Sequence, residues 1–236
     1  MNNRLLNIQN ELRRLSNKEI AEHSQRFFKT GKGQYGEGDK FLGIRVPVLR
    51  KIAKIYSEIS IDESALLLKS KFHEERLLSL LMLVAIFKKA NSKNRKAVYT
   101  LYLDNTKFIN NWDLIDSSAE HIVGAYLRQV NKQPIYNLAK SRILWERRIS
   151  IMSTFHFIKY NEFVDSLRIS EILLPDKEDL IHKAVGWMLR EIGKRDIETE
   201  EGFLRKYYRQ MPRTMLRYSI EKFPESKRQR YLKGQM

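Results

Sequence analysis

Cysteine is absent from this chain. That removes disulfide frameworks and thiolate zinc sites, and it fits a reducing cytoplasm, the expected location. No apolar run is long enough to span a bilayer, so no membrane partner is expected. The opening segment, Met1-Asn2-Asn3-Arg4-Leu5-Leu6, holds no extended apolar stretch of the signal-peptide kind. Proline is scarce, five in 236 residues, and Pro47, Pro134, Pro175, Pro212 and Pro224 sit where helices should start or stop. Alternating strand-like patterns are rare. The five histidines, His23, His73, His121, His156 and His182, show no metal-ligand spacing, and no nucleophile-elbow motif occurs. The expectation is therefore no metal, no cofactor and no acyl-transfer chemistry.

What the chain has in excess is positive charge. Forty-four Lys and Arg stand against 28 Asp and Glu, a formal net charge of +16. Phosphate contacts and counterion release make a polyanion the first partner to consider. A membrane surface ranks lower, because the basic residues are spread over many segments rather than gathered in one amphipathic helix. A merely soluble basic protein is the third reading.

Apolar residues recur at helical spacing almost throughout. Leu5, Leu6, Ile8, Leu12 and Leu15 mark a first helix, and a second runs from about Asn17 to Phe28. Val48, Leu49, Ile52, Ala53 and Ile55 mark a third, after Pro47. The stretch from Leu77 to Phe87 is apolar nearly all round and should be buried. Further helices are expected at about 92–103, 118–131, 133–142, 145–158, 178–194, 202–210, 213–222 and 225–233. Short helices joined by short polar links have the rhythm of an α-solenoid of helix pairs, roughly forty residues per unit. The expected fold is all-α: a solenoid of helix pairs, one domain over 1–236, with a concave basic face fit for a nucleic-acid duplex.

One segment interrupts the helices. Residues 29–43 hold five of the ten glycines. Gly31, Gly33 and Gly36 match a dinucleotide-fingerprint spacing, but a helix precedes them instead of a strand, and no phosphate-loop Lys-Ser/Thr pair follows. The loop needs positive φ or close backbone approach. Either it touches nucleic-acid backbone through Lys29, Lys32 and its amides, or it is a packed connection into Phe41-Leu42-Gly43-Ile44.

The densest chemistry lies at 110–118, Asn110-Asn111-Trp112-Asp113-Leu114-Ile115-Asp116-Ser117-Ser118. Trp112 and Asp116 are four apart, so a helix puts them on one face. An indole beside a carboxylate is unexpected on so basic a chain, although a capped helix start with a packed Trp accounts for the same residues. Trp145 and Trp187 also fall on helices, where core is the commoner fate. Gly186, inside a helix and next to Trp187, weakens that helix by about 1 kcal/mol, so something must approach closely there. Arg147, Arg148 and Arg190 could meet phosphates, because guanidinium matches phosphate geometry. A solvated helix face explains them equally. The C-terminal basic residues read as a general electrostatic surface.

The 110–118 stretch resembles the DNA alkylation repair family of HEAT-like repeat DNA glycosylases, the AlkD type. So do Trp-Glu-Arg-Arg at 145–148, Lys-Ala-Val-Gly-Trp-Met-Leu-Arg-Glu at 183–191, and the loop at 29–43 with its continuation to Arg50. The similarity covers roughly residues 20–195 and implies a right-handed α-solenoid of HEAT-like helix pairs. It implies hydrolysis of the N-glycosidic bond of cationic alkylated purines, of the 3-methyladenine and 7-methylguanine kind, in duplex DNA and without a base-flipping pocket. On the matching positions the catalytic Asp is Asp116, the two sugar-facing tryptophans are Trp112 and Trp187, and the essential Arg is Arg148. Asp113 takes a supporting role, and Arg147, Arg190, Lys29 and Lys32 are the DNA-binding candidates. A monomer is the expected state. The same scaffold leaves two other readings: a non-catalytic, structure-selective DNA-binding protein, and a solenoid that binds a protein partner.

Overall fold

A computed structural model describes residues 3–236; Met1 and Asn2, the first residues of the segment read for a leader, lie outside them. Helices make up the ordered structure. Among the described residues there is no strand, and an isolated parallel bridge joins Lys40 to Phe72. No helix is long and apolar enough to cross a membrane. The chain divides between Ser118 and Ala119 into two compact units.

The first unit carries α1 (Asn3–Arg14), α2 (Lys18–Phe27), α3 (Val46–Ile55), α4 (Ile61–Leu68), α5 (His73–Lys89), α6 (Ser92–Asp104) and α7 (Trp112–Asp116). Its centre is α5, which packs on α3, α4, α6 and α7. Leu77 through Val84 are all buried, as their all-round apolarity requires. Each apolar side chain among them is worth about 1.5–3 kcal/mol. Asn17 caps α2 by accepting from the Ile20 amide, and Pro47 stands in the first turn of α3.

Helix α4 was not expected. It is only eight residues long, but its start carries a readable signal: Ser60 and Glu63 form a capping box, each side chain accepting from the other's backbone N–H.

In the second unit, a π-helical turn (Glu120–Gly124) runs into α8 (Ala125–Leu127), followed by α9 (Gln133–Ala139), α10 (Leu144–Ile158), α11 (Val164–Ile172), α12 (Asp179–Gly193), α13 (Ile197–Tyr207), α14 (Arg213–Ser219) and α15 (Glu225–Leu232). Helix α10 is the hub, packed on the π turn, α9, α11 and α12. The regular helix expected at 118–131 is thus replaced by a π turn and a short α segment. Helix α11 was not expected; Phe163 stands at its N-cap position and offers no side-chain cap to announce it. Helix α13 begins at Ile197 rather than near 202, because Asp196 caps it by accepting from the Thr199 amide.

Candidate active site

The 110–118 stretch becomes a short site helix, α7, and nearly every residue in it has a visible task. Asn110 accepts from Arg76 at 3.2 Å. Asn111 is fully buried and caps the helix, its Oδ1 taking the Trp112 amide. Leu114 and Ile115 are fully buried. Ser118 bonds the Leu114 carbonyl and meets the Tyr102 hydroxyl at 3.0 Å. Burial pushes that phenol well above its ordinary pKa; the Ser118 bond offsets part of the rise, and the nearby Asp116 carboxylate adds a smaller push upward. Trp112, Asp113 and Asp116 are each partly exposed, so the chemistry-bearing residues occupy the open side of the helix.

Trp112 stands on an aromatic stack. Its ring lies on Phe28 (5.2 Å, 28°), Phe28 on Phe41 (5.1 Å, 13°), and Phe41 on His73 (4.5 Å, 22°). Phe27, 57% exposed, meets Trp112 edge-on at 5.9 Å. Beneath the stack runs a charged chain. Arg76 donates to Asp39 at 2.7 Å, Asp39 meets His73 Nδ1 at 2.9 Å, and Asp113 meets His73 Nε2 at 2.8 Å. Burial alone would depress the His73 pKa; the carboxylates of Asp113 and Asp39 outweigh it and raise it to about 9. Asp39 is held below the usual carboxylate range: burial opposes this, but His73 and Arg76 prevail. A cavity of about 590 Å³ opens beside the stack between the start of α3, the start of α5 and α2.

The glycine-rich loop proves to be a packed connection. Glu74 is buried and accepts the backbone N–H groups of Leu42, Gly43 and Ile44 at 2.8–3.2 Å. Gly43 adopts φ +80°, and a Cβ there would collide with the Asn17 carbonyl at the start of α2. Lys29 (φ 52°) ends α2, its amide bonding to the Arg26 carbonyl; its side chain is exposed with the ammonium 5.9 Å from the Tyr35 ring centre. Lys32 is exposed.

The other predicted residues lie in the second unit. Trp187, on α12, is partly exposed, 6.0 Å from the Phe155 ring, and donates its indole N–H to Glu191 at 3.2 Å. Arg148 is 5% exposed and donates to the Leu180 carbonyl, tying α10 to the first turn of the helix that carries Trp187. Arg147 pairs with Asp176 at 2.6 Å and also bonds the Ser141 carbonyl. Arg190 pairs with Glu221. The close approach expected at Gly186 is made by the protein itself: a Cβ there would fall 2.5 Å from the Met215 carbonyl oxygen of α14. Trp145 is buried. Among the described residues, no group of three or more metal-binding side chains could hold an ion.

Sequence reasoning missed Phe28, Phe41, His73, Asp39 and Arg76. In the sequence, His73 shows neither metal-ligand spacing nor a Ser/His/Asp order. The available signal was Phe27-Phe28 standing at the edge of the glycine-rich loop, an aromatic pair with no obvious core to enter.

The family model described as "DNA alkylation repair enzyme" matches residues 8–223. Among solved structures, the chain is similar to a predicted DNA alkylation repair enzyme from Enterococcus faecalis, with a TM-score of 0.68 at 13% identity, covering 89% of this chain and 97% of that one. AlkD2 from Streptococcus mutans gives 0.55 at 15% identity, covering 88% and 99%. The protein smu.31 from Streptococcus mutans UA159 gives 0.53 at 16% identity, covering 94% and 99%. These likenesses establish the fold. No curated protein sequence matches.

Proposed function

Because the chain belongs to the DNA alkylation repair enzyme family, we propose that it is a monofunctional DNA glycosylase that removes cationic alkylated purines, of the 3-methyladenine and 7-methylguanine kind, from duplex DNA. The observation that carries this reading is α7. It presents Trp112 and Asp116 four residues apart on one helix, with the indole fixed on Phe28 and its edge toward exposed Phe27.

The chemistry requires little more. A cationic base is already a good leaving group. As the N-glycosidic bond breaks, its electron pair passes to the base and cancels the base's charge. The sugar becomes oxocarbenium-like. Asp116 stabilises that charge and orients a water, whose oxygen bonds to C1′ and whose proton is released. Indole faces at Trp112 and Trp187 attract the developing cation. The lesion needs no base-reading pocket, since the sugar and backbone are what the site meets.

In this reading Arg148, buried on α10, serves the site by keeping the Trp187 helix in place through its bond to the Leu180 carbonyl. Arg147 and Arg190 reach phosphate by exchanging Asp176 and Glu221 for it. Lys29 and Lys32 add exposed positive charge, and Asp113 supports the site helix. The whole chain, 1–236, acts on DNA as a single functional domain. The protein works as a monomer without metal or cofactor.

The test is release of methylated purines from alkylated duplex DNA by the wild type beside Asp116→Asn. The expected outcome is release by the wild type and a loss of about 10²–10³-fold in the variant, with binding retained. Equal release by both would sink the assignment of Asp116. No release by either, with tight salt-sensitive binding, would point to a structure-selective DNA-binding protein.

A further inference from the structure

We propose that His73 is a positioning residue for the site helix: clamped between Asp39 of the glycine-rich loop and Asp113 of α7, it holds Trp112 and Asp116 in place, and the loop serves the site as scaffold. The inference rests on α7 being the catalytic element.

The geometry leaves one protonation state that satisfies every partner. Both ring nitrogens lie within hydrogen-bond distance of a carboxylate oxygen, 2.9 Å at Nδ1 and 2.8 Å at Nε2. A neutral imidazole carries one N–H, so one carboxylate would face a lone pair. The imidazolium donates at both. His73 is 2% exposed, so water cannot substitute for either bond.

The clamp belongs to a larger arrangement on the first turn of α5. His73 holds Asp39 and Asp113, Glu74 takes the amides of residues 42–44, and Arg76 ties Asp39 to Asn110. One helical turn thereby joins both ends of the 39–44 segment to residues 110 and 113 of the site stretch. The stack adds a second path, His73 to Phe41 to Phe28 to Trp112. Truncating His73 disturbs both at once.

Charge supports the same conclusion. Asp39 and Asp113 touch the ring and Arg76 lies next to Asp39; Glu19 and His23 of α2 and Arg45 before α3 face it across the cavity. The two touching carboxylates dominate, and the proton is retained to about pH 9. The folded state holds that proton more tightly than the unfolded chain, about 9 against 6.5. The clamp therefore contributes its full stability below pH 6.5 and loses it as pH rises through about 9.

Two readouts test this. The first is kcat and KM for release of 7-methylguanine from methylated duplex DNA, from neutral pH to about pH 10. The second is the fluorescence of Trp112 alone, in a Trp145→Phe/Trp187→Phe background, which reads the site helix without any turnover. His73→Gln is expected to lower kcat about 10²-fold, as a misplacement of about 1 Å does, with KM changed less than about threefold. Wild-type kcat should fall with a midpoint near pH 9, and that limb should be missing in His73→Gln. Trp112 emission should shift with the same midpoint and stay flat in the variant. Asp113→Asn, which spares the fold if His73→Gln does not, should move the emission midpoint to lower pH. A flat Trp112 titration in the parent background, an unmoved midpoint in Asp113→Asn, or wild-type kcat in His73→Gln would each overturn the proposal. If no version releases base, the glycosylase reading fails and the fluorescence titration alone decides the role of His73.

Discussion

Gly186 shows how far one residue can be argued. A side chain there would strike the Met215 carbonyl oxygen and the Tyr218 Cβ, both at 2.5 Å, so glycine is the condition for α12 and α14 to lie together. Gly186→Ala is expected to destabilise by about 1–3 kcal/mol, as overpacking a tight contact does, read as a lower urea midpoint. A glycine reserved for a ligand would instead leave stability unchanged and weaken DNA binding. The need for a close approach at Gly186 was legible in the sequence. The identity of the approaching group was not, because α14 lies some thirty residues further along the chain and only packing brings it there.

At the scale of elements, α7 spans Trp112–Asp116, too short to be stable alone. It exists because Asn111 caps it, Leu114 and Ile115 are buried, Ser118 meets Tyr102, and Asn110 and Asp113 are tied to the first turn of α5. The glycine-rich loop is ordered in the same way, through Glu74. Glu74→Gln can accept fewer of the three amides and is expected to cost about 1.5–3 kcal/mol. Faster hydrogen exchange at Leu42, Gly43 and Ile44 and faster cleavage within 29–43, with the α5 core still protected, would be the signature. Uniform loosening of the whole first unit would contradict it. The loop's need for special backbone conformations was readable from its glycines, but not its role. A carboxylate three helices away in pattern gives no sign that its partners are backbone amides.

At the scale of the molecule, the net charge of +16 is the dominant fact. Part of the basic complement is committed internally: Arg128 and Lys132 to Glu162, Arg147 to Asp176, Lys159 to Glu120, Arg190 to Glu221. The excess remains for phosphate. DNA affinity should therefore fall linearly in log–log with salt, at about 0.9 per phosphate neutralised, which for six to ten contacts is a loss of about 10³–10⁵ between 50 and 200 mM. A filter-binding series measures it. An affinity that hardly changes with salt would point to a partner other than DNA. Charging Arg147→Glu should reduce the slope by about one unit if that residue exchanges Asp176 for phosphate.

By itself the sequence determined that this chain is helical and basic, and it set the residues of the 110–118 motif side by side. Those features are local: apolar spacing, net charge and a run of adjacent residues survive in one dimension. It also carried the family resemblance, which rests on contiguous strings of residues. Tertiary structure decided the rest. Phe28, Phe41, Asp39, His73 and Arg76 each look ordinary where they stand in the chain, and they become an aromatic stack and a charge clamp only when α5 meets the loop and α7. The proton on His73 has the same origin. An isolated histidine gives it up near pH 6.5; enclosed between two carboxylates and shut off from water, this one keeps it to about pH 9.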